Sequence, residues 1–161
     1  RLFPGNMARL RYGYVVKCIG CDKDENGKVV AVHCEYLPET KSGTPGADSV
    51  KVKGNLHWVS AAQSYAAEIR LYERLFKVPA PGSRREGDAP ELERDFLGDL
   101  NPDSVQIISA QLEPCLRDAG PEERFQFERH GYFVADRVDS RPGAPVFNRA
   151  VTLKDSWGKA G

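Results

Sequence analysis

Hydrophobic and polar positions alternate over short stretches along most of this chain. Residues 10–19, LRYGYVVKCI, are rich in β-branched and aromatic side chains and predict a strand. DKDENG follows at 22–27, with Asn26-Gly27 as a strong hairpin signal. Residues 28–36 then predict the returning strand. The Pro/Gly/Ser/Thr segment at 37–48 is long for a connection and belongs on the surface. A further strand is expected at 50–60, where Val50 and Val52 alternate before Gly54, Leu56 and the His57-Trp58-Val59 run. The small-residue passage AAQSYAA at 61–67 leads to a strand at 68–76, in which Ile69, Leu71 and Leu75 stand among Arg70, Glu73 and Arg74. Residues 50–76 thus read as the joint between two β-modules.

The second half continues in the same style. Residues 78–90 form a linker dense in Pro, Gly and Arg. Leu92, Phe96, Leu97 and Leu100 fit a short amphipathic helix over 92–100, which Asn101-Pro102 ends. A strand is expected at 104–116, interrupted at Glu113-Pro114. Residues 124–135 predict a hairpin with its tight connection at His130-Gly131. In it Phe125 and Phe127 share one face, and Gln126 and Glu128 share the other. The last strand is expected at 145–153, and Trp157 is expected to pack on a barrel end. Short strands with frequent turns and no long helix predict an all-β protein, a barrel or a pair of small barrels, with one or two short helices.

Composition narrows this picture. A chain of 161 residues, 40% hydrophobic, holds one ordinary globular domain or two small ones. Its 23 basic and 23 acidic residues cancel, so any attraction for a polyanion must come from a local patch. One such patch opens the chain: Arg1, Arg9, Arg11 and Lys17 all precede the first acid, Asp22. A solvated strand edge would carry the same charges. No run of about 18 apolar residues predicts a membrane-spanning helix, and no signal peptide is visible. The start at Arg1 rather than Met is what a fragment or a processed chain would have.

Catalytic signatures are missing from the sequence. It has no P-loop, no G-x-G-x-x-G, no H-E-x-x-H and no G-x-S-x-G. His33, His57 and His130 are scattered and suggest no triad. Cys18-x-x-Cys21 followed by His33-Cys34 invites a zinc reading. A single pair is weak, and neighbours in a strand point to opposite faces. No metal ligand is therefore assigned. Two polar pairs suit recognition instead. Arg9-x-Arg11 places two guanidinium groups on one strand face, about 7 Å apart, a spacing that suits a base and an adjacent phosphate. Tyr12 and Tyr14 would share the opposite face, as core rather than as a stacking platform. Gln126 and Arg129 lie together near a turn, where a Gln can both donate to and accept from a base edge. A solvated hairpin would look the same.

Four separated segments carry a family resemblance. RLRYGYVVKC, VKGNLHWVSAAQSYAAEIRLYERLF, FQFERHGYF and PVFNRAVTLKDSW resemble, in order, parts of the C-terminal region of glutaminyl-tRNA synthetases. The related glutamyl-tRNA synthetases of eukaryotes and archaea share that architecture. The resemblance implies two β-barrels of a ribosomal-protein type that bind a tRNA anticodon. The distal barrel would span 1–66 and the proximal barrel 67–161, with the proximal barrel's N-terminal strands lying outside this chain. It implies that Arg9 and Arg11 meet the first anticodon base and its backbone. Gln126 and Arg129 would meet the second base, a uridine, and Arg1 the third, a guanosine. It also implies a cytoplasmic parent enzyme that uses ATP and Mg to join glutamine to its tRNA through a catalytic domain outside this chain. The partners would be glutamine tRNA and that catalytic domain, not DNA or a membrane. Two other readings stay open at this point: a protein-interaction β-module using the basic strand as an exposed edge, and a zinc-binding β-domain using Cys18, Cys21 and Cys34.

Overall fold

The computed structural model describes residues 2–84, 87 and 95–153. The chain folds as two units, Arg1–Trp58 and Val59–Gly161. This division falls earlier than residue 66, because Tyr65 and Ala66 already pair with Leu112 and Gln111 in the second unit.

The first unit is a four-stranded sheet of β1 (Met7–Leu10), β2 (Val15–Lys23), β3 (Val29–Leu37) and β4 (Gly54–Leu56), in the order β3-β2-β1-β4. The β2–β3 hairpin forms where Asn26-Gly27 predicts it. Asp24 Oδ1 accepts from the backbone N–H groups of Asn26 and Lys28, both at 2.9 Å, and so closes the turn. Two expectations change. The single strand at 10–19 is split, because the chain turns between Leu10 and Val15 with Gly13 N–H donating to Leu10 O at 2.8 Å. The strand at 50–60 shrinks to Gly54–Leu56, which runs parallel to β1. A four-residue β1 offers little length to pair with. Ala8, Val15, Val16 and Cys18 form the small buried core.

The second unit is a five-stranded sheet of β5 (Tyr65–Tyr72), β6 (Val105–Leu112), β7 (Arg124–Phe127), β8 (Gly131–Ala135) and β9 (Val146–Val151), in the order β6-β5-β9-β8-β7. Its core gathers Ala67, Ile69, Leu112, Ala119, Phe133, Ala135 and Phe147. Phe127 stacks on Phe133 at 4.4 Å and meets Phe147 edge-on at 5.3 Å, so the Phe125/Phe127 face points inward as the alternation predicts. The helix expected at 92–100 is different. Residues 92–94 lie outside the described residues, and Phe96–Asp99 form a single 3-10 turn with Asp95 accepting from Leu97 N–H at 3.0 Å. Pro114–Leu116 form another, which ends the strand expected to reach 116. Trp157 also lies outside the described residues. Among the described residues the fold is all-β, as two separate sheets.

A charge cluster ties three parts of this unit together. Arg70 on β5 holds Glu68 at 2.7 Å, Asp139 at 2.7 Å and Asp136 at 3.5 Å. Asp136 Oδ1 accepts from the N–H groups of Val138 and Asp139, both at 2.8 Å, and Oδ2 accepts from Asn148 Nδ2 on β9 at 2.6 Å. These donors, Asp139 N–H first, then Asn148 and Val138, with Arg70 adding its charge, hold the Asp136 carboxyl at about 2 against an ordinary 3.8. A carboxyl depressed by folding stabilises the folded state fully above its unfolded value, and loses that contribution as pH falls through the folded value. Asp136→Asn is therefore expected to lower the unfolding free energy by about 2 kcal/mol at neutral pH. In urea denaturation the gap to wild type should close between about pH 4 and about pH 2. A gap that stays constant with pH would show that the carboxylate charge is not its source.

Candidate nucleic-acid interface

Arg9 sits near the end of β1, opposite Val15. Its guanidinium turns into the protein. Nη1 donates to Thr40 O at 2.8 Å, to Ser42 Oγ at 3.4 Å and to Gly13 O at 3.5 Å, and Nη2 donates to the Ala47 carbonyl. The long polar loop after β3 is thereby folded around one side chain. Buried Thr40 adds to it: Oγ1 accepts from Val15 N–H at 2.9 Å and donates to Leu37 O at 2.7 Å. Ser42 closes the loop onto the turn, with its N–H and its Oγ both donating to Gly13 O, at 2.9 and 2.8 Å. Gly46 passes so close to Glu39 that a Cβ there would lie 2.1 Å from the Glu39 carbonyl oxygen.

Arg11 lies beyond the end of β1, in the turn. The regular two-residue strand spacing expected of Arg9 and Arg11 therefore does not extend to it. Arg11 N–H donates to Leu56 O at 2.8 Å, and Trp58 Nε1 donates to Arg11 O at 2.9 Å. Its guanidinium lies 5.0 Å from the centroid of the Tyr12 ring, with Nη2 3.1 Å from the Tyr12 hydroxyl. Tyr12 was expected in the core. It is instead 73% exposed, at a φ of +59°. Tyr14 is half-buried and meets Tyr36 edge-on at 5.3 Å. The composition of the turn hinted at none of this, because the cause is the backbone reversal at Tyr12-Gly13. Arg1 lies outside the described residues.

The second unit presents Gln126 and Arg129 on one hairpin. Gln126 is exposed on β7, paired with Tyr132, on the face opposite the inward phenylalanines. Glu128, Arg129 and His130 make the connection, closed by His130 N–H donating to Phe127 O at 2.9 Å. Arg129 is exposed at a φ of +68°. Gly131 follows at φ +143°, where a Cβ would lie 2.5 Å from Val151 O; only glycine lets β8 start against β9 there. A groove in the same unit, lined by Tyr72, Arg74, Phe76, Lys77, Arg149 and Thr152 among others, adds basic and aromatic groups that the sequence reading did not single out.

The cysteines do not converge. Cys18 is buried on β2 and Cys21, Cys34 and Cys115 are exposed. Cys18 faces Cys34 across the β2–β3 ladder, while a bulge between Cys18 and Gly20 sets Cys21 opposite Val32. Partial desolvation of the Cys34 thiol, followed by the neighbouring Cys18 thiol, raises the Cys34 pKa although the residue as a whole is exposed. Among the described residues no three His, Cys, Asp or Glu side chains are grouped to hold a metal ion. Exposed His33 is 2.9 Å from Asp22.

Two separate sheets bearing basic and aromatic turns place this chain in the class of small β-domains. Comparison with known proteins is specific. The profile described as "tRNA synthetases class I (E and Q), anti-codon binding domain" matches residues 55–136, and a second profile of the same description matches residues 1–37. The chain belongs to this family of anticodon-binding domains. Curated relatives named glutamine–tRNA ligase include that of Cupriavidus necator, 67% identical over 159 residues, 99% of this chain and 26% of the relative. That of Ralstonia nicotianae is 65% identical with the same coverage. That of Bordetella avium is 60% identical over 157 residues, 98% of this chain and 25% of the relative. The chain thus spans about a quarter of the length of these relatives.

The clamp around Arg9 generates a test. Removing hydrogen bonds to a charged group costs roughly 1.5–3 kcal/mol each, so Arg9→Ala should release the loop after Thr40. Trypsin cleavage after Lys41, followed by mass spectrometry, should speed up in Arg9→Ala and to a lesser degree in Arg9→Lys, which keeps the charge but not the planar fork. Cleavage at the wild-type rate in Arg9→Ala would show that the loop holds without it.

Proposed function

We propose that this chain is the part of a glutamine–tRNA ligase that takes hold of the anticodon of glutamine tRNA. The observation that carries the reading is the near-complete alignment of an anticodon-binding family member with relatives of that one name. In this reading Arg9 and Arg11 serve the first anticodon base and its backbone, Gln126 and Arg129 the second base, and Arg1 the third. Arg9 would act mainly through the loop it holds, since Thr40, Ser42, Gly13 and Ala47 already take its donors. Arg11 and the Gln126 hairpin would meet the RNA directly.

The chemistry supports that division. Unpaired loop bases expose edges that side chains can reach. The amide of Gln126 both donates and accepts, as the edge of uracil does. It is exposed on a strand whose other face is anchored by three phenylalanine contacts, so it is presented on a rigid support. The parent enzyme would activate glutamine with ATP and Mg and esterify it to the tRNA, in the remaining three-quarters of the relatives' length. Its setting would be cytoplasmic.

Binding of the protein to glutamine tRNA, compared with transcripts changed at the middle anticodon base, tests this. A good side-chain-to-base contact discriminates by about 1–3 kcal/mol, so the changed transcripts should bind roughly tenfold or more weakly. Gln126→Ala should narrow that difference while leaving the circular dichroism spectrum unchanged. Equal affinity of the wild-type protein for all transcripts would overturn the assignment, and full discrimination retained by Gln126→Ala would remove that residue from the site.

A further inference from the structure

The turn between β1 and β2 holds a ring that the base assignments above leave unused. Tyr12 is 73% exposed, and its φ of +59° is uncommon for any residue with a bulky side chain. Such a conformation persists where the surroundings hold it. Here every flanking peptide is held. Arg11 N–H is bound to Leu56 O and Arg11 O to Trp58 Nε1. Gly13 N–H is bound to Leu10 O, and Gly13 O accepts from Ser42 twice. Leu10 N–H is bound to Tyr14 O at 2.8 Å. The ring therefore stands out from a turn whose flanking peptides are all hydrogen-bonded.

Its neighbours fit a ligand with a flat face and a negative charge. The Arg11 guanidinium lies over the ring, 5.0 Å from its centroid, so a stacked base would take the ring's other face. Trp58 is 44% exposed beside the same turn, with its ring edge 3.5 Å from the position of a Gly13 Cβ. An aromatic ring contributes to folding by leaving water, and this one has not done so. It lies outside the buried core of its unit.

We propose that Tyr12 is a stacking platform for an unpaired nucleobase, with Arg11 beside it to meet the adjoining phosphate. The inference rests on the RNA-binding reading above and assigns it a second kind of contact. Stacking uses the face of a base, which every base has, so it supplies affinity without identity. Gln126 reads an edge and supplies identity.

The experiment compares wild type, Tyr12→Gly and Tyr12→Phe on anticodon stem-loops carrying 2-aminopurine at single loop positions. Glycine accepts the positive φ without strain, so Tyr12→Gly removes the ring and keeps the turn. It should weaken binding about tenfold for the cognate loop and by the same factor for loops with a changed middle base. It should also restore 2-aminopurine fluorescence that wild-type protein quenches at one loop position. Tyr12→Phe keeps the ring and should restore both affinity and quenching. If wild-type protein binds these loops and Tyr12→Gly binds equally well, the platform is overturned and the functional reading stands. If Tyr12→Phe is as damaging as Tyr12→Gly, the hydroxyl and not the ring is the contact, which also overturns it. If wild-type protein binds no RNA, the functional reading falls first and the platform with it.

Discussion

The outward-facing groups of the first unit depend on one arginine that faces inward. Arg9 gives its planar fork of donors to main-chain carbonyls at Thr40 and Ala47, two points of a loop that has no strand of its own. Buried carbonyls must find donors, and a long loop packed on a small sheet has few. One guanidinium answers several at once. With the loop fixed, Ser42 can cap the carbonyl of Gly13, and the Leu10–Tyr14 reversal is held in the shape that turns Tyr12 outward. Burial of four small residues alone would not define this unit so closely.

The second unit reaches the same end by packing. Three phenylalanines from three adjacent strands, Phe127, Phe133 and Phe147, interlock at ring distances of 4.4 and 5.3 Å. That inner face leaves the outer face of β7 to polar side chains, among them Gln126. On the parallel β5–β9 pair, Arg70 and Asn148 sit in register and both reach Asp136. The segment between β8 and β9 is thus pinned by charge as well as by the fully buried Pro145 at its end. Among the described residues each unit also carries one parallel pair in an otherwise antiparallel sheet, β1–β4 and β5–β9. Such pairs join strands distant in sequence, which local turns cannot do.

Much of this was legible residue by residue. Asn26-Gly27 announced its hairpin because few residue pairs accept the turn geometry. Phe125 and Phe127 announced an inward face because strand side chains alternate. Gln126 and Arg129 were visible as a polar pair, and the structure keeps them on one hairpin. In the described part of the expected helix, 95–100, Asp95 caps only a 3-10 turn, because an i, i+4 pattern also arises by chance in a short loop. Tyr12 departs from the alternation for a related reason: the backbone reversal interrupts it, and the ring stands in solvent rather than in the core.

What the sequence determined by itself was the kind of protein: strand-rich, two-part, basic at its start, with motifs whose order marks the family. Those properties are local, set by side-chain periodicity and turn chemistry within a few residues. The tertiary structure decided what each arginine touches. Arg9 and Arg11 are two residues apart and chemically identical, yet one is spent on carbonyls 31 and 38 residues away and the other lies along an exposed ring. No local rule separates them, because the partners that make the difference are brought close only when the loop after β3 folds back over the sheet.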